Sequence, residues 1–350
     1  MRTKKKISQT QLAKELGISQ ALVSLALNGR SVGINPDTYK RIWERAVSLG
    51  YLPKGMRLES TPDSARIKQV GYILRAPLRL YIPSTYFGHV QHGLHQELEA
   101  RSHRLVFLGA EDELSPEKLR NFFHPSHHLG GVVVLGEVAR PFMEGLCKLT
   151  RRVVAVSARY PGLCHSVLGN EPEALTEIVR HLFNLGHQRI GWLGGNASLG
   201  RHDARLLALT SALAPLGLAL DPRYTIVLKE ADRAEGAEGM HAMMRHARRK
   251  DFPTAFVTYN TQMAMGASLT LQRVGWKVPR DMSLASADVS RLSVEGVLRI
   301  TGAGTSPDKL GEAAARLVLG LGQPAEGGYT DLVLPAPLVV GNSTGPARAR

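Results

Sequence analysis

The side chains best placed to do chemistry near the start of this 350-residue chain are cations, and their chemistry is the neutralisation of phosphate. Lys4, Lys5, Lys6, Arg30, Lys40 and Arg41 crowd the first segment, and residues 1–60 hold eleven Lys and Arg against four Asp and Glu. The whole chain carries a formal charge of +14, so its first sixth supplies half of the excess. A small basic module ahead of a mildly basic body calls for a polyanionic partner, nucleic acid before membrane. Within that module the stretch ISQALVSLALNG (18–29) leaves Gln20, Ala21, Ser24, Leu25 and Asn28 on the side not needed for packing. An amide and a hydroxyl can hydrogen-bond base edges, and Ala or Leu can touch a thymine methyl.

Other chemistries lack their residues. No nucleophile elbow, phosphate loop or metal-ligand cluster occurs, and the thirteen histidines form no ligand pattern, so neither an enzyme nor a cofactor is expected. GWLGGNASLG (191–200) has the wrong glycine spacing for a dinucleotide loop. Cys147 and Cys164 are the only cysteines, which fits a reduced cytoplasmic setting. No apolar run approaches the roughly 18 residues that span a bilayer, and MRTKKKISQT is not a signal peptide, so the expectation is a cytoplasmic protein away from the membrane.

The elements that must position these residues are legible. Ser8 and Gln11 make a capping-box pair at a first helix whose Leu12, Ala13 and Leu16 share a face. Gly17 can end that helix in the left-handed conformation, and Ser19 can cap the next one, giving helix-turn-helix geometry. Leu22, Val23, Ala26 and Leu27 then point inward. Asn35, Pro36 and Asp37 announce a third helix, with Tyr39, Ile42, Ala46 and Leu49 inside and Gly50 closing it. From Val70 onward short apolar strands (VGYIL, LVFLG, GGVVVLG, RVVAVS) alternate with amphipathic helices, and the alternation restarts at Ala174 (RIGWLGG, TIVL, TAFVTYN), with one helix expected from Gly236. Such a repeat predicts two parallel sheets flanked by helices, with ligands at the carboxyl ends of the strands.

Residues 7–53, with the order helix, AKELGIS, a second helix ending in LNG and a third ending in LGYLP, resemble the DNA-binding headpiece of the lac-repressor (LacI/GalR) family of bacterial transcription regulators. HLFNLGHQRIGWLGG, PTAFVTYNTQMAMGASLTLQRVGWKVPRDMSLASAD and LPAPLVVGNSTGP resemble signatures of the same family's ligand-binding body. The resemblance implies an α/β chain: an all-α helix-turn-helix headpiece (1–53), a hinge or linker (54–66) and a two-lobed body like that of periplasmic binding proteins (67–350). The lobe boundaries expected are 67–160 plus 298–322 and 161–297 plus 323–345. It implies a homodimeric repressor on a two-fold double-stranded DNA operator, controlled by a carbohydrate-like small effector. DNA contacts would fall to Ser19, Gln20, Ala21, Ser24, Leu25, Asn28 and Lys54. Effector contacts would fall to Tyr86, Phe87, Arg205, Asn260 and Asp288, Arg205 standing where the family commonly keeps an arginine.

Four departures accompany the resemblance. Thr261 replaces an aspartate usual after Asn260, and Gly169–Asn170 stands where the family usually shows Asp-Asn. ADRAEG (231–236) lacks an aromatic often found there, and Ser60 occupies the place of the hinge leucine that wedges a base step. A regulator without a small effector, or a cytoplasmic solute-binding protein, are the alternatives these departures leave open.

Overall fold

The computed structural model describes residues 9–27, 34–48, 68–76, 86–124, 129–289, 297–321 and 328–348. The chain divides into two compact units, Met1–Arg66 and Ile67–Arg350. Ser8, Asn28, Leu49, Gly50, Lys54 and the whole expected hinge lie outside the described residues.

In the first unit three helices, α1 (Gln9–Leu16), α2 (Gln20–Leu27) and α3 (Pro36–Ser48), enclose a small core. Leu12, Ala13, Val23, Ala26, Leu27, Ile42 and Ala46 are buried in it. Gly17 takes φ +67° between α1 and α2, the left-handed conformation that glycine adopts without steric cost. The Ser19 hydroxyl accepts from the Leu22 amide at 3.2 Å, and Asn35 Oδ1 accepts from Asp37 at 2.9 Å. Of the three caps expected from the sequence, the two at Ser19 and Asn35 are formed, and the one at Ser8 lies outside the described residues.

The second unit holds two six-stranded sheets. Along the chain the elements are β1 (Lys68–Leu74), α4 (Tyr86–Glu99), β2 (His103–Ala110), α5 (Pro116–Phe122), β3 (Leu129–Leu135), α6 (Arg140–Leu149), β4 (Val153–Val156), β5 (His165–Gly169) and α7 (Glu171–Asn184). Then come β6 (Ile190–Gly194), α8 (Gly200–Leu213), β7 (Thr225–Val227), α9 (Arg233–Met244), β8 (Ala255–Thr258), α10 (Thr261–Arg273) and β9 (Ser283–Ser286). The last are β10 (Thr301–Ala303), α11 (Pro307–Val318), β11 (Asp331–Leu334) and β12 (Leu338–Val339). The N-lobe sheet runs β11-β5-β4-β3-β1-β2 and is parallel throughout. The C-lobe sheet runs β12-β10-β9-β8-β6-β7, with β12 antiparallel to β10.

Alternation along β3 and β4 builds the N-lobe. Val133, Leu135, Val154 and Val156 face one way, into the core made with α4 and α11. Val132, Val134, Val153 and Ala155 face the other, toward α5 and α6. A strand buried on both faces must be apolar without interruption, which is why VVVL and VVAV read as runs. The C-lobe core gathers around Trp192, Tyr224, Phe252 and Phe256.

The lobe boundaries differ from those the sequence suggests. β5 and β11 belong to the N-lobe sheet, and β10 belongs to the C-lobe sheet. The alternation restarts with α7, but the strand before it, HSVLG, pairs with β4 and extends the first sheet. The chain therefore crosses at Asn170, not near residue 160, returns after β10, and crosses again between β11 and β12.

Each lobe contains one close helix pair, and both are built on glycine. A Cβ on Gly311 of α11 would lie 2.0 Å from the Val90 carbonyl oxygen of α4, and one on Gly266 of α10 would lie 2.0 Å from that of Arg233 on α9. Backbone cannot yield as a flexible side chain would. Gly311→Ala is expected to cost about 3 kcal/mol, at the upper end of overpacking, whereas Gly145→Ala on the exposed face of α6, with nothing within 4 Å, should be neutral or stabilising. Urea midpoints test both, and equal midpoints for Gly311→Ala and wild type would refute this packing.

Burial also sets an acid limit. His187 Nε2 donates to the Gly345 carbonyl (3.0 Å), and its ring nitrogens lie within hydrogen-bond reach of Thr254 Oγ1 (2.8 Å) and Ser283 Oγ (3.1 Å), knitting the C-terminal tail to the sheet. Desolvation holds His187, His181 and His165 below the usual histidine value. The folded form prefers them neutral, so their stabilisation is present above the ordinary value of about 6.5 and lost as pH falls through the lowered folded values. The thermal midpoint is expected to drop between pH 7 and pH 5, and His187→Gln should flatten that slope.

Candidate functional site

The two sheets meet where the chain crosses. Gly169 ends β5, Asn170 caps α7 by accepting from the Glu173 amide at 3.3 Å, and Glu171 opens the helix. Thr305, after β10, donates its hydroxyl to the Leu334 and Pro335 carbonyls at 3.1 and 2.9 Å, and Glu173 accepts from the Ala336 amide at 3.1 Å. All three crossings are thus braced against one another. A small pocket opens here, its walls including Tyr86, Glu171, Arg201, Arg205, Asp288 and Thr305.

One carboxylate and two guanidinium groups fill its floor. Glu171 Oε2 accepts from Arg205 Nε at 2.9 Å, and Glu171 Oε1 accepts from Arg201 Nε at 2.8 Å. Spacing explains the pairing: Arg201 and Arg205 lie four apart on α8 and share one face. Arg205 is 2% exposed, lies over the Tyr259 ring with Cζ 4.6 Å from the centroid, and donates Nη1 to the Tyr259 carbonyl. Burial opposes charge on Glu171, but the two arginines outweigh it and hold the carboxyl below its ordinary value. Burial likewise opposes charge on Arg201, and Tyr86 with Glu171 holds it charged.

Contacts also cross the cleft from lobe to lobe. Arg201 Nη2 donates to the Tyr86 hydroxyl at 3.4 Å, which lies 3.2 Å from Ser157 Oγ. Glu137, just past β3, accepts from the Gly200 amide at the start of α8 at 3.3 Å. The positive end of α8 favours a carboxylate there.

The residues expected at this site separate into two groups. Tyr86, Arg205 and Asp288 line the pocket. Asp288 Oδ1 is also engaged by the Thr261 amide (2.8 Å), the Thr261 hydroxyl (2.7 Å) and Ser286 Oγ (2.9 Å), closing the start of α10. Asn260 is not brought there: its Oδ1 caps α10 through Met263 N at 2.9 Å, and its Nδ2 donates to the Ala231 carbonyl at 2.7 Å. Phe87 packs on the N-lobe core and meets Tyr86 edge-on at 5.2 Å. Sequence reasoning misses Glu171 and Arg201. Gly169–Asn170 lacks the family's acid, yet a carboxylate stands immediately after the pair, and helical phase with Arg205 is the available signal for Arg201.

In the first unit, Ser19, Gln20, Ala21 and Leu25 are exposed and Ser24 is half-buried, while Leu22, Val23, Ala26 and Leu27 turn inward. Leu25 is 42% exposed, an apolar side chain that the headpiece core does not use. Among the described residues there is no cluster able to hold a metal ion and no helix long and apolar enough to cross a membrane.

Two parallel-sheet lobes joined by three crossings, with the pocket at the strand ends, define the class: a periplasmic-binding-protein-like body. The family pattern for a periplasmic binding protein-like domain matches residues 179–344. The maltose regulon regulatory protein MalI of Escherichia coli is 29% identical over 286 residues, 79% of this chain and 78% of its own length. The HTH-type transcriptional regulator AglR of Rhizobium meliloti is 27% identical over 98% of this chain and 96% of its own. A LacI family transcriptional regulator from Mycobacterium smegmatis superposes with a TM-score of 0.67 at 23% identity, over 79% of this chain and 99% of that one. The transcriptional regulator CelR in complex with cellobiose gives 0.66 at 20%, over 97% and 100%. The chain is similar in sequence and fold to regulators of the lac-repressor (LacI/GalR) family, and the relatives it matches are regulators rather than enzymes.

Proposed function

We propose that this regulator is a cytoplasmic repressor that binds a two-fold operator as a homodimer and is controlled by a sugar or sugar derivative in the cleft. Residues 1–53 form the reading headpiece, 54–66 the linker, and 67–350 the effector-binding and dimerising body. Ser19, Gln20, Ala21, Ser24, Leu25, Asn28 and Lys54 face DNA. The single observation that carries the effector reading is the Arg201–Glu171–Arg205 cluster between the lobes. A sugar hydroxyl both donates and accepts, and this floor presents carboxylate and guanidinium side by side, with the Tyr86 ring at its edge. Glu171 supplies an acceptor that the usual Asp-Asn pair would have given. Tyr86 and Asp288 complete the contacts.

Retardation of the DNA fragment upstream of its own gene tests the first half, and thermal shift against a panel of neutral sugars, sugar acids and sugar phosphates tests the second. The full chain should retard the fragment, and the compound that raises the thermal midpoint should also change that retardation. A stabilising compound with no effect on retardation would contradict effector control.

A further inference from the structure

The strands of the C-lobe sheet end at the cleft and begin at the opposite pole, and that pole is strongly basic. Arg189, Arg223 and Arg280 stand just ahead of β6, β7 and β9. Arg245, Arg248, Arg249 and Lys250 follow α9 toward β8, Arg273 and Lys277 lie at the end of α10, and Arg348 joins from the C-terminal segment. All ten are exposed. Three carboxylates share the pole, and arginines already hold each of them. Asp251 accepts from Arg223 at 2.7 Å and Arg249 at 3.2 Å, Asp281 from Arg280 at 3.0 Å and Arg348 at 3.2 Å, and Asp221 from Arg223. Arg245, Arg248, Lys250 and Arg273 form no ion pair among the described residues. The helix C-termini gathered here carry partial negative charge, which accounts for Arg273 in the last turn of α10. It does not account for the run Arg248–Arg249–Lys250, which follows the helix.

We infer that this pole of the C-lobe is a second, sequence-independent binding surface for the phosphates of duplex DNA, carried by the body and not by the headpiece. Eight of these ten cations are arginine, whose planar fork suits phosphate oxygens better than a point charge does. The aromatic rings nearby favour a duplex over single strands. Tyr224, Phe252 and Trp276 pack edge-to-face on one another, at 5.4 and 6.2 Å, instead of standing out to stack on bases. A regulator held at one DNA site can thereby hold a second stretch of duplex.

The test uses the full chain on a long duplex of random sequence, with affinity followed against salt concentration. Replacing Arg245→Ala, Arg248→Ala and Lys250→Ala together should make the log–log slope shallower by about 0.9 for each phosphate that is no longer neutralised. Replacing Arg245→Lys and Arg248→Lys, which keeps the charge, should leave it unchanged. A thermal midpoint equal to wild type shows that the triple variant is folded. An unchanged slope in the folded triple variant overturns the inference. An unchanged slope together with weakened binding of poly-glutamate overturns it in favour of an acidic protein partner.

Discussion

Arg205→Ala is expected to destabilise the body by about 3–5 kcal/mol and to abolish the response to the effector. Its guanidinium is buried, and it is half of what neutralises Glu171. Removing one member of a buried ion pair leaves the other desolvated and underpaired, which is far more costly than the pair itself is stabilising. The Tyr259 carbonyl loses its donor in the same step. Because a destabilised protein can lose its response for an uninteresting reason, Arg205→Lys separates the two effects. Lysine keeps the charge beside Glu171, so most of the stability should return. It cannot reproduce the fork that serves Glu171 and Tyr259 together, so the response should stay impaired. The checks are thermal unfolding and effector-dependent retardation, read on both variants. An Arg205→Lys protein that responds at the wild-type effector concentration would show that Arg205 does not touch the effector.

Gln20→Ala should cost about 1–3 kcal/mol on the specific site and little on random DNA, since a glutamine amide matches the N6 and N7 edge of adenine. Gln20 opens α2 and is exposed, with Ala21 beside it and Leu25 one turn on. At the position of Leu25 the family commonly carries arginine, which would read guanine. Leucine offers apolar contact alone, for instance to a thymine methyl. Leu25→Arg should therefore create a guanine preference at one base pair without altering the fold, because the leucine is 42% exposed and outside the core of the unit. Titration of operator and random fragments with both variants measures these effects.

The fold is legible in the sequence wherever one residue type has one physical reason to be where it is. Gly17, Ser19 and Asn35 mark turn and caps, and the alternating apolar runs mark both sheets. The lobe boundaries are not legible, because HSVLG looks the same whether it closes one sheet or opens the next, and only its pairing with VVAV decides. α9 begins at Arg233, three residues before the expected Gly236, because Asp232 caps it through the Glu235 amide at 2.8 Å. The site is half legible. Arg205 is placed by resemblance and stands in the cleft, but Asn260 matches a pattern whose local use here is capping. Glu171 is hidden because the family pattern puts the acid two residues earlier, ahead of the helix, and a shift of that size at a helix start changes which group enters the cleft.

Binding-site selection from random duplex DNA by the full chain tests most directly that this is a sequence-specific regulator reading through α2. The selected pool is predicted to converge on a two-fold symmetric site, with no guanine preference at the base pair that changes when Leu25→Arg is selected in parallel. A pool that shows no enrichment over its input, or a wild type that already selects guanine at that pair, would contradict it.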